Sequence, residues 1–127
     1  MPSIIILYAG ILGLMAVVLA APAGLLRGKL GVSVGDGGNM GLLLAMRRHG
    51  NFAESVPILL IIIGFLEMNG VSGTAIHAMG GILVLARVAH AMGLKEDIQN
   101  PLRGIGAGAT ALLTVVASIW AIVVYLS

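Results

Sequence analysis

The stretch Arg47-Arg48-His49-Gly50-Asn51-Phe52-Ala53-Glu54-Ser55-Val56-Pro57 runs without a break into Ile58-Leu59-Leu60-Ile61-Ile62-Ile63-Gly64-Phe65-Leu66. The second half is a hydrocarbon run with no strand-like alternation, the pattern of a helix buried in lipid. The first half sets basic residues, an amide and a carboxylate at its mouth. Counting about 20 residues back from Met68 puts the lipid boundary near Arg48, with Asn51 and Glu54 about one and two turns deeper. A charge at the centre of a membrane helix costs on the order of 2.5 to 3.5 kcal/mol on insertion scales, so such residues mark a site. Arg47, Asn51 and Glu54 are spaced i, i+4 and i+7, and Arg48 precedes Asn51 by three, which places these side chains on one helical face.

The rest of the chain has the same character. Of 127 residues, 59% are hydrophobic and only 9% charged, and the mean hydropathy of +1.10 is too high for a soluble domain of this size. Four apolar stretches, about 3–26, 39–68, 72–94 and 101–126, each reach the roughly 20 residues that cross ~30 Å of hydrocarbon. Lipid offers the backbone no hydrogen bonds, and without period-two alternation the spans must be helices, not barrel strands. The expected fold is an all-α membrane protein, one four-transmembrane-helix bundle over residues 1–127. Ala21-Pro22-Ala23 has the small residues of a signal-cleavage site, but Met1-Pro2-Ser3 lacks a positive leader, so the first segment is expected to stay as a helix.

The seven Lys and Arg sort to one side once the spans are threaded. Arg27 and Lys29 follow the first span, Arg47 and Arg48 begin the buried part of the second, Arg87 and Lys95 end the third, and Arg103 begins the fourth. The turn from Met68 to Gly73 has none. The positive-inside rule then directs the polar cluster to the cytoplasm and both termini outward. Tyr8, Trp120 and Tyr125 fall near the opposite ends of the first and fourth spans, where aromatic anchors are expected. The connector Gly28 to Gly38, rich in glycine, reads either as a lid over a cytoplasmic pocket or as a plain solvated loop.

Several functions are excluded. The chain has no cysteine, hence no disulfide, thiolate metal site or cysteine nucleophile, and any thiol chemistry must use a substrate's sulfur. A net charge of +2, with no continuous basic stripe, argues against nucleic acid. His49, His77 and His90 stand apart, so no metal is expected. What remains is a cluster of arginines with one carboxylate and one amide, suited to a small zwitterionic anion, although an intrabundle network fixing helix register is an alternative. Glu54 at its depth needs a partner, and Arg87 is the natural candidate. A four-helix exporter would need a carboxylate in its first helix, which is absent here.

These residues resemble a family. Arg47-x-x-x-Asn51-x-x-Glu54-x-x-Pro57, then Arg87-Val88-Ala89-His90, then Pro101-Leu102-Arg103, look like the membrane-associated proteins in eicosanoid and glutathione metabolism, the MAPEG family, and within it a bacterial-type member resembling the microsomal glutathione transferases. The resemblance spans all four helices. It implies a homotrimer with glutathione as co-substrate in cytoplasm-facing clefts between neighbours, bound by Arg47, Asn51, Glu54, Arg87 and Arg48. It also implies a thiolate held by Arg103, where the helix N-terminus adds a positive dipole end, or by Arg27. The thiolate would attack a lipophilic electrophile or reduce a hydroperoxide entering from the membrane lipid. Positions where glutathione-binding members often carry tyrosine are Ser55 and Leu94 here, and Gly104 follows Arg103. A non-catalytic relative binding lipid or a partner protein in the same cleft is the alternative function.

Overall fold

The computed structural model describes residues 1–93 and 101–127 and consists of four helices: α1 (Ile4–Leu30), α2 (Met40–Met68), α3 (Gly73–Gly93) and α4 (Pro101–Leu126). All four are long and apolar enough to cross a membrane. Leu94 and Lys95 lie outside the described residues. Successive helices run antiparallel, so α1 and α3 end, and α2 and α4 begin, at the arginine-bearing end. α1 packs on α2 and α3, and α4 packs on α3 and α2; among the described residues α1 and α4 do not touch. The core lies where Leu59 and Ile63 of α2 meet Ile76 and Leu83 of α3, with Leu12 and Leu113 closing it from either side.

Seven of the eight helix ends lie within one residue of the sequence reading, and one does not. α1 runs to Leu30, four residues beyond the expected end, and takes Arg27 and Lys29 into its last turn, where basic side chains complement the helix C-terminus. It stops at Gly31, whose φ of 66° is left-handed and suits glycine, with Val32 N donating to Arg27 O at 3.1 Å. The connector is thereby shortened and tied down. Arg27 Nη1 donates to Gly35 O at 2.8 Å, and Gly38 N donates to Asp36 Oδ1 at 2.9 Å. Asn39 then caps α2, accepting from Leu42 N at 2.9 Å. The stretch read as a lid or a solvated loop is a pinned turn.

At the opposite end two of the three expected aromatic anchors pack against the core instead. The Tyr8 ring fills the space beside Gly80, where any Cβ would collide with it, and its hydroxyl pairs with His77 Nδ1 at 2.8 Å. Trp120 also leans on the core, and Tyr125 alone stands free, 87% exposed.

The same end holds an unexpected cap. Glu67, in the last turn of α2, accepts Ser3 N at 2.9 Å and Ile4 N at 2.7 Å on Oε1, and Ile5 N at 2.9 Å on Oε2. Those are amides that a helix N-terminus leaves without intrahelical partners, and a carboxylate there also meets the positive end of the dipole. In Glu67→Ala, hydrogen exchange is expected to rise roughly tenfold or more at Ile4 and Ile5 and to stay unchanged near Leu12. Exchange mass spectrometry on the purified protein reads this, and equal rates in both proteins would exclude the cap.

Candidate functional site

Near the arginine end α2, α3 and α4 line a cavity of about 400 Å³ that is open in the single chain, within the size range of small-molecule sites. Asn51, Glu54, Ser55 and Ile58 of α2 form one wall. Arg87 of α3 supplies the charge, and Ala107, Thr110, Ala111 and Thr114 of α4 form the facing wall. α4 approaches α3 closely enough to complete the cavity because Gly106 faces the α3 backbone: a Cβ there would lie 2.5 Å from Ala86 O and 2.6 Å from His90 N.

Arg87 is the largest fully buried side chain of the bundle, 1% exposed. Its Nη2 donates to Asn51 Oδ1 at 2.8 Å and lies 3.2 Å from His90 Nδ1, while the guanidinium carbon sits 5.8 Å from the centre of the Phe52 ring. Its Nε is buried with no partner among the described residues. The sequence pointed to Glu54 as the counter-charge, and the structure gives Asn51 that position. Asn51 lies one turn nearer the arginine end of α2 and aims its amide oxygen at the guanidinium. Glu54 lines the same cavity but is exposed on the single chain. Among the described residues no carboxylate stands within ion-pair distance of Arg87, so the buried cation is held by an amide, an imidazole and a ring face only.

The hydroxyls of the cavity have their protons committed. Ser55 Oγ donates to Asn51 O, Thr110 Oγ1 to Gly106 O and Thr114 Oγ1 to Thr110 O, each at 2.8 Å. Each bond runs back one turn to the helix's own backbone, a local solution that leaves the oxygen lone pairs available.

The seven candidates from the sequence are not all gathered here. Asn51, Glu54 and Arg87 line the cavity together. Arg103, partly buried in the first turn of α4, precedes Ala107 by four residues and shares its face, with its backbone against Gly93. Arg47 is exposed one turn before Asn51, and Arg48 beside it is partly buried. Arg27 is turned away into the α1–α2 connector, with Nη2 also 3.3 Å from Met46 Sδ. Ser55, Thr110 and Thr114 were missed as cavity residues, and His90, set aside from the sequence as a metal ligand, backs the guanidinium. An Arg87-x-x-His90 pair at i, i+3 on a helix was the available signal for the last.

The family model of the MAPEG family matches residues 5–123. The chain belongs to the MAPEG family. Among curated proteins it is similar to the inner membrane protein YecN of Escherichia coli, in both strain K12 and strain O6:H1. Each is 34% identical over 117 residues that cover 90% of this chain and 88% of the relative. No solved structure matches. With four apolar helices and an inner membrane protein as relative, this MAPEG chain is a multi-pass integral membrane protein.

Proposed function

We propose that this MAPEG protein is a glutathione-dependent membrane enzyme, a transferase or peroxidase acting on lipophilic electrophiles or hydroperoxides. The observation that carries the reading is Arg87, a buried cation on a cavity wall with no carboxylate beside it among the described residues. A buried charge is strongly unfavourable without a counter-charge, and a carboxylate of glutathione supplies one, in a fork that guanidinium geometry favours. Glu54 receives the tripeptide's ammonium, and Arg47 and Arg48 attract the second carboxylate at the mouth.

The thiol, with an ordinary pKa of ~8.5, is mostly protonated at neutral pH, and a guanidinium beside it shifts the balance to thiolate. Arg103 takes that role ahead of Arg27, whose guanidinium is engaged by Gly35 and Met46. In transfer, the sulfur bonds to an electrophilic carbon and a leaving anion departs. In reduction, one hydroperoxide and two thiols give one alcohol, one disulfide and one water. The exposed carboxylate of Glu54, at a depth where lipid would otherwise face it, is covered by a neighbouring copy in the homotrimer that the family resemblance implies. The arginine end faces the cytoplasm.

A second reading keeps the cleft but not the reaction. Ser55, where glutathione-binding members often carry tyrosine, favours a non-catalytic protein that binds lipid or a partner there. Calorimetry with glutathione in detergent, followed by conjugation to a chlorinated nitrobenzene and reduction of a hydroperoxide, separates the two. Binding with turnover supports the enzyme; no binding, or binding without turnover, overturns it in favour of the second reading. Asn51→Asp adds an internal counter-charge to Arg87, so it is expected to weaken glutathione binding about tenfold or more while the oligomer persists.

A further inference from the structure

We infer that the half of the cavity farther from the arginine end selects a second substrate whose polar head donates a hydrogen bond, through the oxygens of Ser55, Thr110 and Thr114. The inference rests on the reading of the arginine half as the glutathione site and adds the chemical class of the other substrate.

Thr110 and Thr114 lie seven and eleven residues beyond Arg103 on α4, about 10 and 16 Å along the axis at 1.5 Å per residue. Ser55 follows Asn51 by one turn on α2. The three hydroxyls are therefore farther from the arginine end than Arg103 and Asn51, beside Glu54 and the apolar surfaces of Ile58 and Ala111. All three protons are spent on backbone carbonyls, at 2.8 Å in each case. Toward the cavity these residues offer acceptors, and Glu54 next to them, when ionised, offers only acceptors as well. The donors are on the other side, on Arg87 and on the amide nitrogen of Asn51 one turn nearer the arginine end.

This division has a chemical consequence for a lipophile that enters beside glutathione. A carboxylate head would face lone pairs of like polarity, and a carbonyl, nitro or ether head would lose its water without gaining a donor. A hydroxyl or hydroperoxide head donates to the rail and keeps its hydrogen bond. Of the two substrate classes above, hydroperoxides carry such a donor, whereas nitroarenes and enals carry acceptors only. The small side chains of Ala107 and Ala111 leave the rail open to the cavity.

The test uses the purified protein in detergent saturated with glutathione, with 1-dodecanol and dodecyl methyl ether as matched probes, dodecanoate as the charged comparison, and each probe's partition into empty micelles subtracted. The alcohol is expected to bind at least tenfold more tightly than either. The double variant Thr110→Val with Thr114→Val, isosteric but without hydroxyls, is expected to bring the alcohol-to-ether ratio near one at unchanged glutathione affinity, whereas the matching double serine variant preserves it. Ser55→Ala, less buried, is expected to lower the ratio and serves where the valine pair does not fold. No preference in the wild-type protein, or a preference that survives loss of the hydroxyls, overturns the inference. Failure of the wild-type protein to bind glutathione, measured beforehand, overturns the underlying reading instead.

Discussion

Arg87→Leu is expected to lower glutathione affinity at least a hundredfold while the thermal midpoint in detergent stays near the wild-type value. The two readouts separate because of what surrounds the guanidinium. Arg87 is buried, touches Asn51, His90 and Phe52, and has no carboxylate beside it among the described residues, which therefore bear the desolvation of a charge without an ion pair in return. Substituting hydrocarbon for buried ionic groups is often neutral or stabilising. The opposing effect is the loss of hydrogen bonds to Asn51 and His90, about 1 to 3 kcal/mol for each group left unsatisfied, and less for Asn51, which is only partly buried on the cavity wall. Calorimetry gives the affinity and the fluorescence of Trp120, the single tryptophan, follows the melt. An affinity within threefold of wild type, or a midpoint that collapses with it, would make Arg87 part of the scaffold and remove the support for a bound anion.

Gly106→Leu is expected to do the opposite and lose both together. At this position even a methyl group meets Ala86 O at 2.5 Å, His90 N at 2.6 Å and His90 Cβ at 2.7 Å, and two of those atoms are backbone that cannot rotate away. Helix propensity favours a side chain over glycine by up to about 1 kcal/mol, but overpacking costs typically 1 to 3 kcal/mol for added methylenes and more when a helix must move. α4 has to step back from α3, the cavity wall opens and His90 shifts behind Arg87. A fall of about 3 kcal/mol or more in unfolding free energy, with glutathione binding lost in parallel, is the expected result. Gly104→Ala and Gly108→Ala provide the contrast, since a Cβ at either meets nothing within 4 Å in the single chain. Denaturant titration of the three proteins measures it, and equal stability would show that α3 and α4 are not held at this contact.

That contrast shows what the sequence made legible and what it hid. The length of α2, its start at Asn39 and the shared face of Asn51 and Glu54 follow from counting residues against a bilayer and a helical period. Which of Gly104, Gly106 and Gly108 packs inside the chain does not, because all are small and only the rotation of α4 decides. In α1 the apolar surface is nearly uniform around the helix, so periodicity cannot say which side is buried, and Gly28 and Lys29 read as loop although backbone hydrogen bonding carries the helix past them. Asn51 as the neighbour of Arg87 was hidden by the expectation that a charge seeks a charge. Thr110 and Thr114 were hidden because a hydroxyl that bonds its own helix gives no signal in the pattern. The role of Glu67 was not legible, since the amides it serves come from the start of the chain.

Those amides have a mechanical consequence. Three successive backbone groups of the first helix hang on one carboxylate carried by the second, so a piston-like slip between the two, by even one turn of about 5.4 Å, would break all three at once. Any displacement of the first helix relative to the second is therefore expected to be a swing about this pivot, with its amplitude growing along the helix toward Arg27.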